Sequence, residues 1–230
     1  MEKVTNLAAM FEDSTIVTVQ LDNTDENFHV QKALLCNVSK YFVRALTGEF
    51  IESKSNTLRL PGCKKATFSL FLYWLCHRSL PENLTTELES EAEIPEGSDK
   101  WWTPSYNQQQ LISLWGFGDI YLMPSLQNEA MRMLVKNVST FRIGVEAVKL
   151  AAELWVEDSP QRNFVMEGVA GEYSDWGLHD HGIDYLGAIP GVMKDMLTIL
   201  RIAWTGEEAL VQQPNPDISR LLVDETTQRP

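Results

Sequence analysis

At 230 residues, with 44% hydrophobic and 10% aromatic side chains, the chain carries enough apolar surface for a packed core and too much for a disordered polymer. Its formal charge of −13 opposes the phosphates of nucleic acid and the face of an anionic membrane, where cationic side chains would have to replace counterions. No apolar run approaches the ~20 residues that cross a bilayer, and the opening MEKVTNLAAMFEDS has no signal-peptide core, so an intracellular protein, cytoplasmic or nuclear, is expected.

Residues 1–13 read as a short amphipathic lead, with Leu7, Met10 and Phe11 at helical spacing. Ile16, Val17, Val19 and Leu21 form a β-branched run, and the polar turn Asp22 to Glu26 returns the chain into a second strand, where Phe28 and Val30 alternate with His29. A hairpin is predicted. Two short helices follow. Ala33, Leu34 and Leu35 supply the apolar side of the first, Ser39 is placed to cap the second, and Tyr41, Phe42, Ala45 and Leu46 recur at three- and four-residue spacing. Gly48 is expected to close that helix in a left-handed conformation. Thr57 to Pro61 is predicted as a third strand, with Leu58 and Leu60 on one face, Arg59 on the other, and Gly62 ending it.

Lys64 to Arg78 carries Phe68, Phe71, Leu72, Leu75 and Cys76 at i, i+3, i+4, i+7 and i+8, an apolar stripe that demands burial. From Pro81 to Tyr106 the pattern breaks. Glu82 to Asp99 holds seven acids and no base, and Trp101, Trp102, Pro104 and Tyr106 follow, so an acidic insertion over residues 81–106 is expected. It reads either as a solvated loop or as an arm whose paired tryptophans anchor a partner. Helix resumes over Gln108 to Gly116, with Phe117 to Met123 predicted as a turn into a helix that starts near Pro124 and points Leu126, Ala130, Met133 and Leu134 inward. The glycines of Gly116-Phe117-Gly118 follow a helix and lack the later glycine and lysine of a phosphate loop.

Further on, Val145 to Trp155 is apolar almost all round and reads as a buried helix, while Ser159-Pro160 supplies a cap and first position for the next, through Phe164 and Val169. Gly171 to Gly191 reads as loop-rich, and Val192, Met196, Leu200 and Ala203 give a last amphipathic helix. Two or three helices are expected in this extension, followed by a mobile tail over residues 207–230.

Phe28-His29-Val30-Gln31-Lys32-Ala33-Leu34-Leu35, then Ser39-Lys40-Tyr41-Phe42, Phe50-Ile51-Glu52-Ser53 and Leu58-Arg59-Leu60 together resemble the signature of BTB/POZ domains, especially their fungal branch. The string Leu114 to Leu122 followed by Leu126 to Ala130 is similar to the closing helical pair of that branch. Gln31-Lys32 stands where the family usually has His-Arg or His-Lys. The resemblance implies an α+β fold, a small three-stranded sheet covered by a cluster of short helices, over residues 14–139, with an all-helical extension over 140–206. It also implies a protein-interaction module that forms a homodimer or recruits protein partners. In BTB adaptors of cullin-based ubiquitin ligases, an apolar residue, any residue and then glutamate contact the cullin, and Phe50-Ile51-Glu52 occupies that place here. A partner role in transcriptional repression complexes is the other reading, and an N-terminal segment packed across a dimer axis would give Leu7, Met10 and Phe11 a role in dimerisation.

Enzymatic chemistry has one candidate. His179 and His181, with Asp175, Asp180 and Asp184 nearby, offer the imidazole and carboxylate donors that zinc or non-haem iron accepts, which leaves a metal-dependent enzyme as an alternative. No GxSxG nucleophile motif and no glycine-rich phosphate cradle after a strand occurs, so no enzyme activity and no cofactor are expected. Cys36, Cys63 and Cys76 have no metal-ligand spacing and read as reduced structural thiols. The sequons at Asn37, Asn83 and Asn137 read as chance in a chain with no secretory signal.

Overall fold

The computed structural model describes residues 14–22, 24–82, 84, 102–176, 180–205 and 217–226. The expected lead over 1–13, and most of the expected acidic insertion, lie outside these residues. The chain divides into two compact units. One is formed from residues 1–81, 117–127 and 223–230, the other from 82–116 and 128–222.

In the first unit, β1 (Ile16–Leu21) lies at the centre of a three-stranded sheet, antiparallel to β2 (Asn27–Gln31) and parallel to β3 (Thr57–Leu60). The register pairs Val17 with Val30, and Val19 with both Phe28 and Leu58, so the alternating apolar residues of all three strands share one face. Val17, Val19, Leu58 and Leu60 are essentially inaccessible to solvent. The opposite face is polar, where Arg59 Nε donates to Gln20 Oε1 at 3.2 Å.

Between β2 and β3 run α1 (Lys32–Val38), α2 (Lys40–Thr47) and α3 (Ile51–Ser55). Ser39 separates the first two with an extended backbone, and its hydroxyl accepts from the Phe42 N–H at 3.2 Å, the capping role expected for it. Gly48 departs from expectation: its φ of −79° is extended rather than left-handed. Space explains the glycine, because a Cβ there would lie 2.7 Å from the Arg44 carbonyl oxygen that accepts the Gly48 N–H. The left-handed residue falls at Asn56 (φ 49°) after α3, where the chain turns into β3 and the Asn56 carbonyl accepts from Thr18 N–H.

α4 (Lys65–His77) closes this unit's core with Thr67, Phe68, Leu70, Phe71, Trp74 and Leu75 buried. The predicted stripe is rotated: Leu72 is only half-buried and Cys76 is exposed, while Leu70 and Trp74 take inward places. The helix ends on Arg78 in a left-handed conformation, its N–H donating to the Trp74 carbonyl and its guanidinium lying 5.5 Å from the Trp74 ring centre.

α5 (Trp102–Ile120) and α6 (Pro124–Val138) follow. The helix persists through Gly116-Phe117-Gly118, contrary to the predicted turn at Phe117, because Leu114, Phe117 and Tyr121 are all buried on one side. Gly118 suits a close approach, since a Cβ there would meet Gln127 Cγ at 2.8 Å. The turn is shorter: Leu122 takes φ 55° and Met123 N–H reaches back to the Gly118 carbonyl. On α6, Leu126, Ala130 and Leu134 point inward as expected, and Met131 is buried while Met133 is only partly so.

The second unit continues through α7 (Val145–Leu154), α8 (Pro160–Trp176), α9 (Asp180–Gly187) and α10 (Val192–Thr205). Four helices thus stand among the described residues where two or three were expected, and helix occupies much of the span from 171 to 191 that reads as loop. α7 is buried on one side only, through Ala147, Val148 and Ala151, while Leu154 and Val156 are exposed. Two buried polar brackets hold the helices. The Gln108 amide donates to Asn137 Oδ1 and the Arg142 carbonyl and accepts from Gly144 N–H, all within 3.0 Å. Arg162 Nε donates to Asp195 Oδ2 at 2.7 Å, and its Nη1 donates to the carbonyls of Ala152 and Trp155. In the span read as a tail, a 3-10 turn over Ile218–Leu221 places Leu221 wholly out of solvent.

Candidate protein-interaction surface

Within the corner formed by α1, α2 and α3, aromatic rings anchor α2 through Phe42. Phe42 stacks on Tyr121 at 5.6 Å, Phe117 meets Tyr121 at 4.6 Å and Phe71 at 5.0 Å, and Phe68 meets Phe28 at 4.9 Å. The Ser39 hydroxyl donates to the Tyr121 carbonyl at 2.5 Å, so one side chain both caps α2 and fastens it to the end of α5. Burial raises the Tyr121 phenol above its ordinary range, and it pushes the Cys63 thiol up to about 12. Both shifts favour the protonated form, which for the thiol is the less nucleophilic one.

On this base stands an exposed edge. Phe50 is 61% exposed and Ile51 76%, the sole sequence-adjacent pair of exposed large apolar side chains among the described residues. Their backbone is fixed despite that exposure. The Ser53 hydroxyl lies within reach of the carbonyls of Gly48 (2.5 Å) and Phe50 (2.8 Å), between which its one hydrogen is shared, and Ser53 N–H donates to the Phe50 carbonyl. Glu52 sits in the first turn of α3, half-buried, where a carboxylate is favoured by the helix N-terminus. An apolar pair on a pinned five-residue helix, beside an acid, is a surface that can bury an anchor and orient a charge.

Phe50, the residue that precedes α3, and Glu52, in its first turn, thus flank Ile51. Ile51, the more exposed of the two apolar residues, has no role in the sequence reading; the signal was an apolar pair in a segment too short to bury both members. Leu7, Met10, Phe11, Trp101 and His179 lie outside the described residues. Trp102 opens α5 and His181 lies in α9, their side chains outside the described ones. Among the described residues no three His, Cys, Asp or Glu side chains converge as metal ligands, and no helix is long and apolar enough to cross a membrane. His29 lies on the polar strand face, its Nδ1 3.5 Å from Thr18 Oγ1, and His77 stacks on Tyr73 at 4.1 Å.

The BTB/POZ domain family matches residues 7–91, a span that contains the sheet, α1 to α4 and the Phe50–Glu52 edge. No curated protein matches the chain. With the three-stranded sheet in its expected place and short helices after it, the match supports a BTB/POZ domain, a protein-interaction module, within residues 7–91 of this α+β chain.

Proposed function

We propose that this chain is a non-enzymatic adaptor that presents a target to a cullin-based ubiquitin ligase, with Phe50, Ile51 and Glu52 contacting the N-terminal region of the cullin. One observation carries the reading: two neighbouring large apolar side chains, 61% and 76% exposed, are held in water by a hydrogen-bonded backbone. Leaving each such side chain exposed forgoes roughly 1.5–3 kcal/mol of burial, a cost that a partner surface would recover. Glu52 beside them supplies an orienting charge.

The 1–13 lead, through Leu7, Met10 and Phe11, joins two copies into a homodimer, and Trp101 and Trp102 contact the target. With a charge of −13 the chain works among proteins inside the cell rather than on nucleic acid or anionic membrane. A pull-down with the cullin N-terminal region tests the contact: wild-type chain is retained and the Phe50→Ala, Glu52→Ala double variant is lost. Equal recovery of the two removes this edge from the interface.

A further inference from the structure

The span Asp217–Thr226 is built like a bound peptide. Asp217 Oδ1 accepts from the N–H and the hydroxyl of Ser219, which closes a self-contained 3-10 turn over Ile218–Leu221. That turn packs on α8 through three kinds of contact. Leu221 is 0% exposed. Its carbonyl accepts from Gln161 Nε2 at 3.0 Å, and Gln161 is itself buried. Arg220 Nη2 pairs with Glu167 Oε2 at 2.8 Å. An apolar socket, a captured main-chain carbonyl and a flanking charge are the three elements by which grooves recognise short extended or turned motifs.

Gln161 and Glu167 lie six residues apart on α8, about 9 Å along its axis and about 120° apart around it, so the turn reaches across the helix over the length of two or three peptide residues. Eleven residues, 206–216, join α10 to this segment, so the occupant is supplied in cis. An occupant supplied on the same chain is met without a bimolecular step, so that a weak intrinsic contact suffices to hold it. A partner peptide must outcompete that occupancy.

We infer that the Gln161–Glu167 face of α8 is a docking site for a short peptide carrying an arginine followed by leucine, which the chain's own Arg220-Leu221 occupies until a partner with the same chemistry displaces it. This site is separate from the Phe50–Glu52 edge, and either can fail alone. Mutual displacement makes it a regulated surface rather than a permanently open one.

The test uses the full chain. Leu221→Asp empties the socket without touching α8, and a fluorescent peptide of residues 217–226 is then added in trans and followed by anisotropy. The variant binds the peptide about tenfold or more tighter than wild type, whose socket is filled by its own tail. A control peptide carrying Leu221→Asp binds neither protein. A second variant, Glu167→Arg, alters only an exposed partner: it prefers a peptide carrying Arg220→Glu over the native peptide by about threefold, as an exposed ion pair allows. Leu221→Asp protein that keeps its helical content yet binds no peptide overturns the inference. Should that variant fail to fold, Leu221→Ala empties the same socket more gently, and binding of the native peptide to the Leu221→Ala chain no tighter than to wild type overturns the inference.

Discussion

The Ser39 hydroxyl donates to the main-chain carbonyl of Tyr121, 82 positions away, while accepting from the N–H of Phe42 three residues on. One small buried side chain thereby fixes both the start of α2 and its place against the end of α5. Ser39→Ala removes a cap and leaves a buried carbonyl without its donor, and each loss costs about 1 kcal/mol or more. Urea unfolding should show a midpoint lowered by a combined loss of about 2–3 kcal/mol with an unchanged slope.

Two neighbours on α4 separate inward from lateral positions. Phe71 is fully buried between Phe42 and Phe117, whereas Leu72 is half-buried. Phe71→Ala is expected to destabilise by about 3–5 kcal/mol and Leu72→Ala by less than half of that. Thermal melts of the two variants check the order, and equal losses would contradict the rotated stripe.

Arg162 and Asp195 form an ion pair with side chains 5% and 7% exposed, and the guanidinium also holds the carbonyls that end α7. Removing one partner strands a buried charge, so Asp195→Ala should cost about 3–5 kcal/mol. Arg162→Met with Asp195→Leu replaces both charges by apolar groups and should recover a large part of that loss. Denaturant unfolding of the single and double variants gives the comparison.

Cys63 offers a test by pH. Burial raises its thiol in the folded state to about 12, so between the ordinary thiol value of roughly 8.5 and that figure the folded chain keeps a proton that the unfolded chain releases. The stabilisation is complete below the ordinary thiol value and fades as pH climbs through this window. Replacing Cys63 by Ala should flatten this part of the stability profile. At neutral pH a maleimide should label the exposed Cys76 first and leave Cys63 unmodified in the native chain.

The sheet and the corner were legible because their signals are local. Alternation at Val17, Val19 and Leu21 sets a two-residue period, and Ser39 before an amphipathic run marks a helix start. What the pattern missed was decided by tertiary packing. Gly116 and Gly118 read as a break, yet the burial of Leu114, Phe117 and Tyr121 carries the helix through them. Gly48 was chosen for space beside the Arg44 carbonyl rather than for a positive φ, which no one-dimensional pattern reveals. Gly171 suggested a loop, but it lies inside α8, whose residues Phe164, Val165 and Val169 are buried. Leu221 opens a three-residue apolar run, Leu221-Leu222-Val223, and a run that short has no period to detect. Of the binding edge, Phe50 and Glu52 stood out by resemblance, while the exposure of Ile51 depends on α3 being a five-residue helix with no buried residue.

The most direct test of the account is a calorimetric titration of the cullin N-terminal region into purified wild-type chain and into Phe50→Ala. Saturable binding to the wild type is expected, with a loss of about 2 kcal/mol or more for the variant, roughly a thirtyfold weaker Kd. Circular dichroism should be unchanged, because Phe50 is 61% exposed. Identical affinities for the two proteins, or no heat of binding to the wild type, would contradict it.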